Sequence, residues 1–308
     1  MRAVRNAPPG VEVVELDEPE GDGELVRVMA AGICASDLLY LQYGSTQVAG
    51  HEFAGRREDG TAVAVEAIFG CGACAQCVKG SYNLCDKGPT ALGMLDPGGM
   101  CEWFRAPRHA LVPLPAGLDL RDAALVEPAA VAWHSCALAP VAPGARVAVV
   151  GAGAIGILAA ASAQAMGADE VAVEARHRFQ HDASDRIGAV APGAGYDVVV
   201  EAAGSESGLH RAVELARPGG TVVYVGVYGD ITWPSTRAFM KEVALRPSLG
   251  YCARDGRREF ADAAAMLAAR PELPEMLITH RFPIEDAAEA FRVAQDRSRG
   301  VFRVVIEP

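Results

Sequence analysis

The sequence lacks several features that would define its class. No apolar run reaches the roughly 18 residues that a membrane-spanning helix requires, and the amino-terminal segment has no secretory apolar core. Basic residues are in deficit, because 28 lysines and arginines face 39 acidic residues, for a net charge of −11. Nucleic-acid binding needs clustered basic side chains, so this balance argues against it. We therefore expect a cytoplasmic protein with no membrane or nucleic-acid partner.

The texture of the 308-residue chain changes near residue 143, which indicates two domains. Before that point, short runs such as "ELVRVMAAG", "TAVAVEAIF" and "ALVPLP" predict a compact β-rich domain. After it, apolar strand-length runs alternate with helix-like segments, one of them "SGLHRAVELARPGG", which predicts βαβ units and a parallel sheet. Two amphipathic helices and a last strand, "GVFRVVIEP", follow. The predicted fold class is α/β, with a β-rich domain and a doubly wound parallel sheet.

Three glycines, Gly151, Gly153 and Gly156, form the pattern G-x-G-x-x-G. The pattern follows the apolar run "ARVAVV" and opens an alanine-rich segment, which is the strand–turn–helix context of a dinucleotide fingerprint. The first glycine allows the tight turn, the second lets backbone amides approach a pyrophosphate, and the third lets helix pack on strand. The phosphates then lie at the positive end of the helix. A ligand-free turn is the alternative, and the context favours a dinucleotide.

The residues after the second strand of this domain should distinguish NAD from NADP. An acidic residue there accepts from the ribose 2′-hydroxyl and favours NAD, whereas arginine holds a 2′-phosphate. The segment contains Glu174, and Arg176 and Arg178 follow it. The two arginines are either phosphate ligands or solvated loop charges, so the local residues leave the choice open.

Four cysteines, Cys71, Cys74, Cys77 and Cys85, have the spacing C-x2-C-x2-C-x7-C. Cytoplasmic thiols stay reduced, so the cluster indicates a metal site rather than disulfides. Four thiolates in one loop can close a tetrahedral zinc site, and the spacing alone does not exclude an iron–sulfur cluster. A site with four protein ligands has no open position, and we therefore expect a structural role for it.

Catalysis needs a metal with a vacant coordination position. The segments "GICASD", "GHE" and "LVEPAA" supply Cys34, His51 and Glu127, which offer a sulfur, a nitrogen and an oxygen donor. Each residue alone is more often structural than ligating. The trio becomes a candidate metal set because the cysteine cluster and the glycine turn accompany it.

The sequence resembles the zinc-dependent medium-chain alcohol and polyol dehydrogenases. The resemblance covers most of the chain and rests on the segments "GICASD", "GHEFAG", "CGACAQCVKGSYNLC", "GGMCEWF", "VEPAAVAWH", "VAVVGAGAIGILAAASAQAMGA", "DVVVEAAG" and "RPGGTVVYVG". It implies a GroES-like catalytic domain, a Rossmann domain, and both a catalytic and a structural Zn²⁺. It also implies that zinc polarises the substrate oxygen while a hydride moves between the substrate and NAD(P).

The resemblance gives individual residues a role. Cys34 and His51 match the first two ligands of the catalytic zinc. Glu127 matches the third ligand, which is cysteine in the alcohol dehydrogenase branch and glutamate in the sorbitol, threonine and sugar dehydrogenase branches, where it ligates either directly or through water. Glu52 matches an acid that can join the zinc transiently, and Asp37 matches an acid that fixes the tautomer of the histidine ligand. Cys71, Cys74, Cys77 and Cys85 match the structural zinc lobe.

The proton relay departs from the family pattern. Ser36 matches the hydroxyl that takes the proton of the substrate. Many relatives complete the relay with a histidine five residues after the first cysteine ligand, and Leu39 occupies that position here. The relay must end at Ser36, run through the cofactor ribose and water, or use another group such as Tyr40.

The position that reads the ribose also departs from the family. The family aspartate falls on Ala175, and Glu174 lies one residue early. Losing the acid and gaining two arginines favours NADP(H) over NAD(H). The complete set of predicted cofactor-binding residues is Gly151, Gly153, Ala154, Ile155, Gly156, Glu174, Ala175, Arg176, Arg178, Ala203 and Gly226.

The resemblance sets the expected organisation and activity. Residues 1–142 and 270–308 are predicted to form the catalytic domain, and residues 143–269 the nucleotide domain. A homodimer or homotetramer is expected, with "GGTVVYVGV" as a possible sheet edge. The predicted enzyme oxidises a secondary alcohol of a polyol, sugar, aminocyclitol or secondary-metabolite intermediate, or reduces the ketone. The alternatives are enone reduction, internal redox epimerisation and a non-catalytic nucleotide-binding sensor.

Overall fold

The computed structural model describes residues 1–226, 228–296 and 300–308. The described chain divides into two compact units, the first formed by Met1–Glu127 with Cys252–Pro308, and the second by Pro128–Tyr251. These divisions fall after residues 127 and 251, whereas the sequence predicted them after 142 and 269. The change of sequence pattern near residue 143 lies just before the first parallel strand, which begins at Arg146. The second unit itself already begins at Pro128.

The first unit is rich in short strands. They are β1 (Arg2–Ala7), β2 (Gly10–Glu15), β3 (Glu24–Gly32), β4 (Glu52–Arg57), β5 (Ala62–Val65), β6 (Ile68–Phe69), β7 (Thr90–Ala91), β8 (Trp103–Ala106), β9 (Leu111–Pro113), β15 (Ala253–Arg254), β16 (Arg257–Arg258), β17 (Ile278–Pro283) and β18 (Arg303–Glu307). Seven of them form a sheet in the order β17-β18-β3-β4-β5-β9, with β8 also paired to β3. The predicted β-rich domain is confirmed, although "TAVAVEAIF" forms two strands rather than one.

Short helices complete the first unit. They are α1 (Ala35–Gln42), α2 (Ala75–Val78), α8 (Glu259–Ala269), α9 (Glu272–Leu277) and α10 (Ala287–Gln295), while α3 (Val126–Ala137) contains the division between the units. The core of this unit combines apolar side chains of β3, β4, β5 and β18 with those of α10. The two amphipathic helices expected near the carboxyl terminus are therefore confirmed as α8 and α10, and the last predicted strand as β18.

The second unit is a parallel sheet with helical connections. Its strands are β10 (Arg146–Val150), β11 (Glu170–Glu174), β12 (Tyr196–Glu201), β13 (Ala216–Tyr224) and β14 (Ala244–Pro247), and its further helices are α4 (Ala154–Ala165), α5 (Arg178–Arg186), α6 (Glu206–Leu215) and α7 (Ser235–Lys241). The strand order is β11-β10-β12-β13-β14, and every pairing is parallel. This arrangement confirms the predicted α/β class, because helices connect parallel strands around a switch point beside β10.

Two details of the second unit differ from the sequence predictions. The helix expected over "SGLHRAVELARPGG" ends at Leu215, and Ala216 already belongs to β13 because it pairs with Tyr196 of β12. The segment "GGTVVYVGV" is not a sheet edge, since β13 lies between β12 and β14. Among the residues that the structure describes, no helix has the length and apolar character needed to cross a bilayer.

Candidate active site and metal centres

The register of two antiparallel strands assembles the candidate catalytic site in the first unit. Gly32, the last residue of β3, pairs with Glu52, the first residue of β4. Cys34 follows β3 by two residues and is the N-cap of α1. His51 directly precedes β4. The strand pairing therefore brings together donors that lie 17 positions apart in the sequence "CASDLLYLQYGSTQVAGH".

Cys34, His51 and Glu52 form a closely spaced donor set. One ligand atom from each residue lies within 4.8 Å of the other two, and the residues offer sulfur, nitrogen and oxygen. Asp37 lies beside them, with Oδ1 at 3.2 Å from His51 Nδ1 and Oδ2 accepting from Cys34 N at 2.8 Å. A carboxylate opposite Nδ1 favours a proton on that atom and leaves the Nε2 lone pair for a cation.

Glu127, the predicted third ligand, lies outside the close set of three donors. The third donor of that set is Glu52, the acid that was expected to join the zinc only transiently. Glu127 is nevertheless buried, and burial raises the pKa of its carboxyl to about 7, while the nearby His51 and Arg303 lower it. A buried acid of this kind can exchange a proton near neutral pH.

The electrostatics of the donor set favour a bound cation. Burial alone would lower the pKa of His51, but the Asp37 carboxylate and the Cys34 sulfur outweigh burial and hold that pKa well above its usual value. Burial raises the pKa of Glu52, and the positive charge of Arg303 opposes that shift. Surroundings that stabilise a positive charge on His51 also stabilise a metal ion beside it. A sulfur, an imidazole nitrogen and a carboxylate are donors that zinc accepts, with a fourth position left open.

Two further residues hold Glu52, and the sequence interpretation missed both. Arg303 on β18 is buried, and its Nη1 lies 2.8 Å from Glu52 Oε1 and donates to the carbonyl of Ile33 at 3.3 Å. A β-carbon at Gly32 would lie only 2.5 Å from Glu52 Oε2. The signal for Arg303 was present, because an arginine inside the apolar run "VFRVVI" must be paired if it is buried.

The predicted proton relay is partly assembled. Ser36 Oγ lies 3.3 Å from His51 Nε2, and the Ser36 side chain also hydrogen-bonds with Tyr40. Tyr40 is half-buried, and burial raises the pKa of its phenol. Leu39 occupies the place of the family histidine and cannot carry a proton. The hydroxyl groups of Ser36 and Tyr40 therefore lie next to each other beside the donor set.

The four-cysteine lobe fits a closed metal site. One sulfur from each of Cys71, Cys74, Cys77 and Cys85 lies within 4.8 Å of the other three. A tetrahedral site with Zn–S bonds of about 2.3 Å needs sulfur atoms about 3.8 Å apart, and those of Cys74 and Cys85 are 3.8 Å apart. Backbone amides of Ala73 and Cys74 lower the pKa of the Cys71 thiol to about 6, which favours the thiolate that a metal requires.

A buried polar network anchors this lobe to the rest of the first unit. The Glu66 carboxylate is 3% exposed and accepts from the Tyr82 hydroxyl at 2.9 Å. Arg258 also contacts this carboxylate, with Nη2 at 2.6 Å from Oε2 and Nε at 3.0 Å from Oε1. Ala253 N also donates to Gly80 O at 2.9 Å. The lobe is therefore fixed by contacts with β15 and β16 as well as by its cysteines.

The glycine turn of the second unit has the geometry that a dinucleotide requires. Gly151 has a φ of 99°, a conformation that disfavours other residues. A β-carbon at Gly156 would lie 1.8 Å from Gly151 O, so only glycine lets α4 begin this close to the turn. A β-carbon at Gly153 would meet nothing within 4 Å, and no side chain caps the helix there. The start of α4 therefore has both room for a pyrophosphate and backbone amides that no side chain caps. Ala154 and Ile155 are the first two residues of this helix.

The other predicted cofactor residues lie at the carboxyl ends of neighbouring strands. Ala203 follows β12, and its backbone N–H donates to the buried Glu201 carboxylate at 2.9 Å. Gly226 follows β13, and a β-carbon there would lie 2.5 Å from Gly204 Cα. These turns share one edge of the sheet with the glycine turn, because the strands are parallel.

The residues after β11 divide into two groups. The Glu174 carboxylate accepts from Arg211 Nε on α6 at 2.7 Å. Ala175 offers no acid, and Arg176 and Arg178 are exposed. The guanidinium groups of Arg176 and Arg178 make no ion pair with any residue in the described part of the chain. Glu174, the only acid from residue 174 to residue 178, is therefore paired with Arg211. Arg176 and Arg178 are exposed and form no ion pair with a described residue.

Two family descriptions match most of the chain. The description "Alcohol dehydrogenase GroES-like domain" matches residues 21–116, and "Zinc-binding dehydrogenase" matches residues 131–269. The chain is 31% identical over 307 residues to D-xylulose reductase A of Aspergillus oryzae, with coverage of 87% of this chain and 85% of that protein.

Solved structures share the same architecture over the whole chain. Galactitol-1-phosphate dehydrogenase from Escherichia coli has a TM-score of 0.90 at 27% identity, with 100% of both chains covered. A zinc-binding dehydrogenase from Sinorhizobium meliloti 1021, solved with NADP bound, has a TM-score of 0.85 at 27% identity and covers 100% of this chain and 99% of that one. The resemblance that the sequence motifs indicated is confirmed.

Proposed function

The chain belongs to the zinc-dependent medium-chain dehydrogenase family, and from this premise we propose that it transfers a hydride between NAD(P) and a secondary alcohol or ketone of a polar metabolite. The observation that carries the proposal is the set formed by half-buried Cys34 with buried His51 and Glu52, whose donor atoms lie within 4.8 Å of one another. Relatives named for xylulose, galactitol 1-phosphate and L-galactonate support a polyol or sugar-derived substrate.

We propose that Cys34, His51 and Glu52 hold the catalytic zinc, with Glu127 as a buried acid beside it. When bound, the zinc supplies Lewis-acid polarisation of the substrate oxygen, and the nicotinamide supplies or accepts the hydride. Asp37 keeps His51 in the ligating tautomer through the 3.2 Å approach to Nδ1. Ser36 Oγ takes the proton of the substrate hydroxyl, and the Tyr40 hydroxyl passes it towards solvent.

The cofactor proposal is NADP(H) in preference to NAD(H). Ala175 removes the acid that would accept from the ribose hydroxyls, and Arg176 and Arg178 are exposed cations without an ion-pair partner among the described residues. Arginine matches the charge and geometry of a phosphate. Replacing both arginines by alanine should raise KM for NADP⁺ by tenfold or more and leave KM for NAD⁺ within about twofold. Unchanged NADP⁺ kinetics would refute the preference.

The two metal centres receive different roles in this proposal, and matched cysteine variants separate them. Cys34→Ala should retain the fold and one zinc per chain but lose turnover. Cys77→Ala should lose the lobe zinc and thermal stability, because a structural zinc site contributes directly to folding. Wild-type protein should contain two zinc ions per chain. A stable but inactive Cys77 variant beside an active Cys34 variant would reverse the assignment.

The substrate, assembly and location can be tested directly. Polyols, sugars and cyclitols screened in parallel with NAD⁺ and NADP⁺ should identify an alcohol that produces reduced nicotinamide. Enone reduction or internal epimerisation would instead give no net cofactor turnover with any alcohol.

We also propose a homodimer or homotetramer in the cytoplasm, where the four lobe thiols stay reduced. The exposed edge strand β14 supports association, which light scattering on the purified chain would measure.

A further inference from the structure

Glu174 lies where a nucleotide ribose is expected, yet its charge is already compensated. It is the last residue of β11, and its backbone oxygen accepts from Gly151 N at 3.2 Å, which places it directly beside the glycine turn. Its carboxylate accepts from Arg211 Nε at 2.7 Å. The two side chains are 35% and 37% exposed, so both the pair and its charges are accessible from solvent.

The direction of the Glu174 side chain follows from strand geometry. Side chains alternate between the two faces of the sheet along β11, and Glu174 is its last residue. Glu174 is turned towards α6, which carries Arg211. The carboxylate is therefore held away from a hydroxyl-binding role, although its charge stays close to the carboxyl end of β11.

The pair belongs to a small cluster that is electrically balanced. Arg211 Nη1 also lies 3.5 Å from Glu214 Oε2, and Glu214 forms a second, closer ion pair with Arg237. Two acids thus face two arginines. Because Arg237 satisfies Glu214, the charge of Arg211 remains committed to Glu174. Removing Arg211 would leave one uncompensated negative charge beside the glycine turn.

We propose that Arg211 is a specificity-determining residue of the nucleotide site, which neutralises Glu174 and so permits a nucleotide with a 2′-phosphate to bind. The inference rests on the proposed nucleotide function of this unit and adds a positioning residue to it. Arg176 and Arg178 attract the phosphate directly, whereas Arg211 acts by cancelling a repulsive charge. An acid that would ordinarily select against NADP is thereby made compatible with it.

Binding of two adenosine nucleotides to the zinc-loaded full chain tests the proposal without turnover. Adenosine 2′,5′-bisphosphate and 5′-AMP differ only in the 2′-phosphate, and calorimetry gives Kd for each. Arg211→Met should weaken the bisphosphate about three- to fivefold, the upper part of the range of one exposed charge pair, and change 5′-AMP less than about twofold. Glu174→Gln/Arg211→Met should return the bisphosphate to within about twofold of wild type. Raised salt should reduce the difference between the variants.

Two control variants separate charge from packing. Arg211→Lys keeps the positive charge and should retain wild-type selectivity. Arg217→Met removes an arginine from another exposed ion pair of the same unit, with Asp197 at 2.6 Å, and should not alter selectivity, because Arg217 lies near the start of β13, at the other end of the sheet. Unfolding temperatures confirm that each variant is folded.

The possible outcomes distinguish the inference from the function on which it rests. Wild-type protein that binds neither nucleotide would refute the nucleotide site. Wild-type protein that binds both, with no selective loss in Arg211→Met, would refute only the role of Arg211. A selective loss that the double variant fails to restore would show that Glu174 is not the charge being neutralised, and would also overturn the inference.

Discussion

Replacing Arg258 by methionine should destabilise the first unit by about 3 kcal/mol at pH 8, because it leaves the buried Glu66 carboxylate without its counter-ion. Arg258 reaches Glu66 with two nitrogens, at 2.6 and 3.0 Å, and Tyr82 would be the remaining partner on this carboxylate. Breaking a fully buried pair costs about 3–5 kcal/mol. The Arg258 side chain is 31% exposed, so we take the lower end of that range.

The loss should depend on pH in a defined direction. Burial raises the pKa of Glu66 above its ordinary value of 4.5, while Arg258 and Tyr82 lower it, so removing Arg258 raises this pKa further. A carboxyl with a raised pKa in the folded state binds more protons folded than unfolded. Stability therefore falls as the pH rises from about 4.5 through the folded pKa, and it is constant above that pKa. The variant should be closest to wild type near pH 5.

Scanning calorimetry of the wild type and of Arg258→Met at pH 5 and pH 8 measures the predicted difference in stability. A loss of about 3 kcal/mol corresponds to a decrease in Tm of about 6–12 °C for a unit of this size. Glu66→Gln/Arg258→Met should recover most of the loss, since no charge then remains buried. Arg292→Met removes an exposed pair with Glu289 and should change stability by less than about 0.5 kcal/mol. An equal loss at both pH values, or none at pH 8, would refute the reasoning.

Three other perturbations have defined outcomes. Gly32→Ala puts a β-carbon 2.5 Å from Glu52 Oε2, so it should lower kcat about 100-fold. Metal analysis should then find one zinc per chain instead of two. Full activity of this variant would contradict the proposed catalytic site. Gly156→Ala, with a contact of 1.8 Å to Gly151 O, should abolish NADPH fluorescence enhancement in a chain that keeps its zinc. Chelation should lower Tm and expose the lobe cysteines to iodoacetamide, whereas Cys101, which is 2% exposed, stays unmodified with or without metal.

Local features of both sites could be predicted from the sequence because their chemistry depends on short spacings. The C-x2-C-x2-C-x7-C loop brings its four sulfurs close together within one short segment of the chain. Gly151 and Gly156 are required by a turn of six residues, whatever surrounds it. The alternation of strands and helices after residue 143 likewise predicted a parallel sheet, which the structure confirms.

Element boundaries were less predictable than element types. The helix α6 stops at Leu215 although helix-compatible residues continue, because Ala216 pairs with Tyr196 in the sheet. The run "TAVAVEAIF" reads as one strand, but Glu66 interrupts it to meet Arg258, 192 residues later. In both cases a tertiary partner overrode the local preference.

The sequence by itself determined the family, the α/β class, the cysteine lobe and the glycine turn, because each can be recognised from residues that are close together in the chain. Only the tertiary structure placed Glu52 rather than Glu127 within the close donor set, brought Arg303 onto Glu52, and turned Glu174 towards Arg211. Those contacts join residues from different strands and helices. The geometry of these contacts depends on the register of the sheet and on the face that each side chain occupies. The spacing of residues along the chain does not predict register or face for segments that are far apart in sequence.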